Sequence, residues 1–192
     1  MTAMTASDIG IIILAAGSSH RFGADKRTAF MPDGTPLLSA TLANVPDTFT
    51  RRILVLKKTD EELGNLYADR WQICYAENPE TGMASSLASG IAIAEKWPAA
   101  VIGLGDMPYI SSATYCALQQ GLEKHDIVIP VSKGKRGNPV GFNERFFDEI
   151  MQLQGDQGAR SLLENYAEEC FEIEVSDNGI TRDIDTPEML RK

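Results

Sequence analysis

The sequence predicts an α/β fold, with a mainly parallel sheet, helices on both faces and a partly antiparallel C-terminal section. Three observations point there. Short apolar runs alternate with amphipathic stretches as far as Val131. Several of the runs are apolar on both faces, as strands covered from both sides require. After Val131 the rhythm changes to a polar, glycine-rich stretch, two short helical patterns and one last strand.

The strands expected in the alternating part are Ile9–Ala15, Arg52–Leu56, Ile73–Ala76, Ala99–Leu104 and Ile127–Val131. Between them the spacing predicts helices near Pro36–Val45, Asp60–Arg70, Ser85–Trp97 and Ser111–Glu123. In the third of these, Met83, Leu87 and Ile91 fall on one face, and Ser85 or Ser86 can cap the start. "SKGKRGNPVGF" reads as a loop or hairpin, followed by helices near Glu144–Leu153 and Ala159–Ala167 and a strand at Phe171–Val175. This section is expected to close over the sheet edge. The chain therefore reads as one domain, 1–192, with residues 1–8 as a flexible lead.

Composition removes several classes of function. A net charge of −9 argues against a nucleic-acid partner and against an anionic membrane surface, yet leaves room for small anionic ligands held by local groups. Three scattered cysteines and two histidines cannot build a zinc site, and the thiols read as small core residues of a reducing compartment. "MTAMTASD" lacks a basic n-region, and the apolar run behind it ends at Gly17, so a cytoplasmic protein without a membrane span is expected.

In open α/β sheets ligands bind beyond the carboxyl ends of the strands, which selects the loop Ala15–Lys26 and the segment "GDMP", Gly105–Pro108. The first is neither of two familiar phosphate loops. Five residues separate Gly17 from Gly23 and Ala24 follows, against a Walker A; position 19 is serine, against a dinucleotide fingerprint. What it does contain suits a polyphosphate. Ala15, Ala16 and Gly17 let a ligand approach backbone N–H groups, Arg21 offers a fork of donors and Lys26 a mobile point charge. The alternative is a glycine-rich turn with two solvated cations. Asp106, directly after a strand, would face the same crevice and could hold a hard divalent ion, or it is a turn aspartate before proline. In "RDIDTPEML", Asp185 or Thr186 reads on its own as the cap of a short helix with Pro187 at its first position.

"LAAGSSHRFGADK" resembles the L-A-A-G-x-x-x-R-x-G-x-x-K signature of the nucleotidyltransferase superfamily, whose fold is Rossmann-like and of the nucleotide-diphospho-sugar transferase type. The resemblance implies a triphosphate wrapped by Leu14, Ala15, Ala16 and Gly17, with Arg21 and Lys26 on the phosphates. It implies Mg²⁺ on Asp106 of "GDMP" and on Asp185 of "DIDTPE", with Asp183 in reserve. "ENPETGMASSLASGI" is similar to a segment of the molybdenum-cofactor cytidylyltransferase branch that lines the base and ribose pocket, implying roles for Asn78 and Gly82. "GKRGNPVGF" and "GDQGARSLL" are similar to acceptor-side elements of that branch, implying Asn138, Asp156 and Arg160. Asn138 stands where the branch has histidine, and Asp156 reads equally as a helix cap. The implied reaction joins CMP from CTP to the terminal phosphate of a molybdopterin acceptor, releases pyrophosphate and serves a client molybdoenzyme. The guanylyltransferase and sugar-nucleotide branches share the loop and the carboxylate pair, and a carrier without chemistry is the reading from another class. His20 and His125 read as surface residues.

Overall fold

The apolar runs fold into the strands that their pattern demands. The structure, a computed structural model, describes residues 4–17, 19–155 and 158–191. Strands β1 (Gly10–Leu14), β2 (Arg52–Lys57), β3 (Gln72–Ala76) and β4 (Ala99–Leu104) lie parallel in the order β3-β2-β1-β4. In β1, Ile11 and Ile13 enter one core while Ile12 and Leu14 enter the other, which is why the run has no polar face. One core packs the sheet against α3 (Met83–Ile93), α5 (Phe147–Met151) and α6 (Arg160–Asn165), the other against α1 (Leu37–Ala43), α2 (Glu61–Asn65) and α4 (Ser112–Leu122).

The C-terminal section does more than close the edge. β5 (Ile127–Ser132) turns back through Lys133 and Gly134, both with positive φ, into β6 (Lys135–Arg136), the geometry that a two-residue hairpin needs. The chain then enters β7 (Val140–Asn143), which inserts antiparallel between β4 and β5. β8 (Cys170–Glu174) pairs with β5 and runs parallel to it. Among the described residues the resulting mixed sheet has eight strands and remains mostly parallel.

Three local expectations change. The helix expected over Asp60–Arg70 is only Glu61–Asn65, because the chain beyond it turns to put Tyr67 and Trp71 against the core. The α3 helix starts at Met83 rather than at a Ser85 or Ser86 cap; Gly82 is the N-cap at φ 118°, a conformation that favours glycine, and Ser86 is buried. Within the expected flexible lead, Ala6–Asp8 form a 3₁₀ turn, and Gln119 Nε2 donates to Ala6 O at 2.8 Å. Among the described residues no helix is long and apolar enough to cross a membrane.

Candidate functional site

Two strand ends set the floor of a cleft of about 540 Å³. Gly105 N–H donates to Leu14 O at 2.9 Å, joining the loop after β1 to the loop after β4. A Cβ on Gly105 would lie 2.9 Å from that of Ala15, so the close approach needs glycine. From α1, Thr41 Oγ1 donates to Gly105 O (3.2 Å) and Asn44 Nδ2 to Pro108 O (2.7 Å), fixing the course of "GDMP". Asp106 is thereby held facing the cleft.

The C-terminal segment comes to the same place from the far end of the sequence. Asp177 is buried and anchors it: Oδ2 accepts from Ser111 N (2.8 Å) and Thr114 Oγ1 (2.6 Å), and Oδ1 from Gly179 N (2.8 Å). Burial raises the Asp177 pKa, but these donors outweigh it and hold the carboxyl below its ordinary range. Further along, Ile184 N–H donates to Asp106 O at 2.9 Å, so Asp183 and Asp185 flank Asp106. One oxygen from each of the three carboxylates lies within 4.8 Å of the others. Burial first, and then the charges of Asp185 and Asp106, raise the Asp183 carboxyl above its ordinary value.

Two cations answer this cluster. The Lys26 ammonium donates to Asp106 Oδ2 at 2.5 Å, to Ile184 O at 3.1 Å and to Asp185 Oδ1 at 3.4 Å. Arg21, largely exposed, places Nη1 2.8 Å from Asp185 Oδ2. The other Asp106 oxygen, Oδ1, is buried and has no hydrogen-bond partner among the described residues. A hard divalent cation with carboxylate ligands would satisfy it, so the residues fit such an ion.

Arg27, beside Lys26, has a different role that the sequence pattern did not disclose. It is buried and all of its donors are engaged, with Asp25 (2.7 and 2.8 Å), Ala15 O (2.9 Å) and both oxygens of Asp60. Burial works against its charge, but hydrogen bonds to Asp25 and Asp60 outweigh that and raise its pKa. The guanidinium so ties the returning end of the loop to the end of β1 and to the turn before α2. Asp60 also accepts from Lys57 N (2.9 Å) and makes no side-chain cap bond to α2. The signal available in the sequence was only an aspartate at a helix entry, which ordinary capping would explain.

The family model described as the MobA-like NTP transferase domain matches residues 11–170. The chain belongs to this family. Purine catabolism protein PucB of Bacillus subtilis (strain 168) is 31% identical over 189 residues, spanning 92% of this chain and 91% of that protein. The crystal structure of Rv0371c from Mycobacterium tuberculosis H37Rv superposes with a TM-score of 0.83 at 28% identity, covering 100% of this chain and 97% of its own. A manganese complex of the same mycobacterial protein gives a TM-score of 0.79 at 25% identity, covering 99% and 97%. Nucleotidyltransferase-family membership and the α/β fold therefore stand together, and the acidic cluster offers residues that fit a divalent ion.

Of the residues singled out in the sequence, Leu14, Ala15, Ala16, Gly17, Arg21, Lys26, Gly82, Asp106 and Asp185 all line the cleft, as does the reserve ligand Asp183. Asn78 does not line it, although the following Pro79 and Glu80 do. Neither Asn138 nor Arg160 is part of its wall: Asn138 is half-buried with its N–H on Ile180 O (2.8 Å), and Arg160 pairs with Glu164 at 3.2 Å on an exposed helix face. Asp156 lies outside the described residues. The cleft further includes Ser86 and Met83 at the start of α3.

Proposed function

We propose that this family member is a Mg²⁺-dependent cytidylyltransferase that joins CMP from CTP to the terminal phosphate of the molybdenum cofactor and releases pyrophosphate. The observation that carries the reading is the convergence of Lys26 and Arg21 on Asp106 and Asp185, at the mouth of a loop built to wrap phosphates. The segment Asn78–Gly82 and its approach to the cleft through Pro79, Glu80 and Gly82 support a base and ribose site there. The name of the Bacillus relative, a purine catabolism protein, agrees with a client molybdoenzyme acting on purines. Asn138 and Arg160, which do not line the cleft, and Asp156 are proposed on the acceptor side.

The acceptor phosphate is already ionised at neutral pH, so the reaction needs no general base. The task is to bring two anions into line. Ala15 N–H donates to Val55 O (2.8 Å), contrary to the expectation for that residue. The backbone N–H groups left to orient the triphosphate are those of Ala16 and Gly17, and Arg21 and Lys26 offset the charge on it. Asp106, Asp183 and Asp185 would hold the divalent ion, which supplies further charge neutralisation on the phosphate oxygens. No nucleophilic side chain is required, and no covalent enzyme intermediate is expected.

Calorimetric titration with CTP, GTP, ATP and UTP, with and without Mg²⁺, tests the reading. Selective, Mg²⁺-dependent CTP binding is the expected result. Preference for GTP would move the protein to the guanylyltransferase branch, and binding of no nucleotide would overturn the transferase assignment.

A further inference from the structure

The coordination of Lys26 is unusual for a residue whose partner should be a phosphate. Its ammonium touches three oxygens from two separate segments, Asp106 Oδ2, Ile184 O and Asp185 Oδ1, and its side chain is only 14% exposed. Arg21 takes the second oxygen of Asp185. Asp106 and Asp185, two of the three carboxylates that would hold a divalent ion, are thus already neutralised by side chains of the loop, and the one oxygen of that pair left over, Asp106 Oδ1, is buried.

We infer that Lys26 is an internal counter-ion that keeps the place of the metal and makes metal entry depend on the nucleotide. This rests on the transferase reading above. An ion that draws on both Asp106 and Asp185 would lie against the ammonium that now bridges their oxygens, and the two positive charges repel, so the ion is held fully only when Lys26 leaves. The phosphates of an incoming nucleotide are the group able to draw Lys26 away, because they would offer it anionic oxygens in the same cleft. Binding of nucleotide and of metal then reinforce each other through one side chain, with a reciprocal coupling. The arrangement has a further consequence. Asp106 and Asp185 do not remain uncompensated beside Asp183 while the protein is without nucleotide, and the cluster does not scavenge divalent ions indiscriminately.

The test is a titration of nucleotide-free protein with Mn²⁺, following free Mn²⁺ by electron paramagnetic resonance, for the unaltered protein, Lys26→Met and Asp106→Asn. The expected result is that Lys26→Met binds Mn²⁺ at least about tenfold more tightly than the unaltered protein, while Asp106→Asn loses binding. Equal or weaker Mn²⁺ binding by a folded Lys26→Met overturns the inference. If Lys26→Met does not fold, Lys26→Gln, which keeps a polar terminus, takes its place. A second readout needs no variant: reductive methylation of Lys26, located by mass spectrometry. Labelling of Lys26 should be slow in the unaltered protein and should accelerate as Mn²⁺ fills the site without nucleotide; unchanged labelling at Mn²⁺ saturation overturns the inference. The two readings fail separately. Absence of nucleotide binding in calorimetry removes the transferase assignment, and the Mn²⁺ measurements still decide whether Lys26 holds the metal's place.

Discussion

Lys26 and Arg27 are neighbours with the same charge, and the fold uses them in opposite ways. Arg27 is buried with its five N–H donors committed to Asp25, Asp60 and Ala15 O. Lys26 reaches the cleft and holds Asp106 and Asp185 through a single nitrogen. The difference lies in the chemistry of the two cations. A planar guanidinium satisfies several fixed acceptors at once and suits a permanent strut, whereas an ammonium on a flexible stem can exchange one set of oxygens for another. One side of the loop is therefore built to stay, the other to move.

Four substitutions sharpen or break that contrast. The largest effect is expected at Asp106→Asn, which should lower nucleotidyl transfer by about 10³-fold with little change in melting temperature, read by pyrophosphate release and calorimetry. An Asp106→Asn protein that retains turnover would remove the carboxylate from the chemistry. Next comes Arg27→Ala, which leaves Asp60 without its buried partner and should cost about 3 kcal/mol of stability in urea unfolding. If the variant is as stable as the parent, Arg27 is not the strut described.

Asp177→Asn should cost about 1–2 kcal/mol, since an amide cannot accept from Ser111, Thr114 and Gly179 together. The pH dependence has a definite sign. Because the folded carboxyl is held below its ordinary value, its contribution is complete above about pH 4 and is lost as pH falls through the depressed value. Acid unfolding of Asp177→Asn should lack that component, and an unchanged acid limb would contradict the assignment. The smallest effect is expected at Arg21→Ala: about a tenfold loss in kcat/KM and no change in stability, because the side chain is 76% exposed. A measurable fall in melting temperature there would mean that Arg21, like Arg27, serves the scaffold.

Much of the site could be read before any fold was known. The spacing Gly17, Arg21, Gly23, Lys26 and the position of Asp106 after a strand depend on short-range geometry, which a linear pattern preserves. Asp185 was ambiguous because its local environment, ahead of Thr186 and Pro187, is also that of a helix cap; its carboxylate instead meets Lys26 and Arg21. The role of Asp60 has no local signature either, since its partner Arg27 lies 33 residues away. Asp177 Oδ1 accepts locally from Gly179 N, but the donors to its Oδ2 lie more than sixty residues earlier, and no local pattern signals them.

By itself, the sequence determined the α/β class, the parallel core strands, and the glycine-rich loop and acidic residues that face the cleft, because periodicity and loop chemistry are local. Only the tertiary structure decided that β7 inserts between β4 and β5, that Asp183 joins Asp106 and Asp185, and that Asp106 rather than a phosphate oxygen is the present partner of Lys26. Those outcomes depend on which distant segments meet, and that is set by the packing of the whole sheet, with the Ile184–Asp106 backbone bond joining the last segment of the chain to the end of β4.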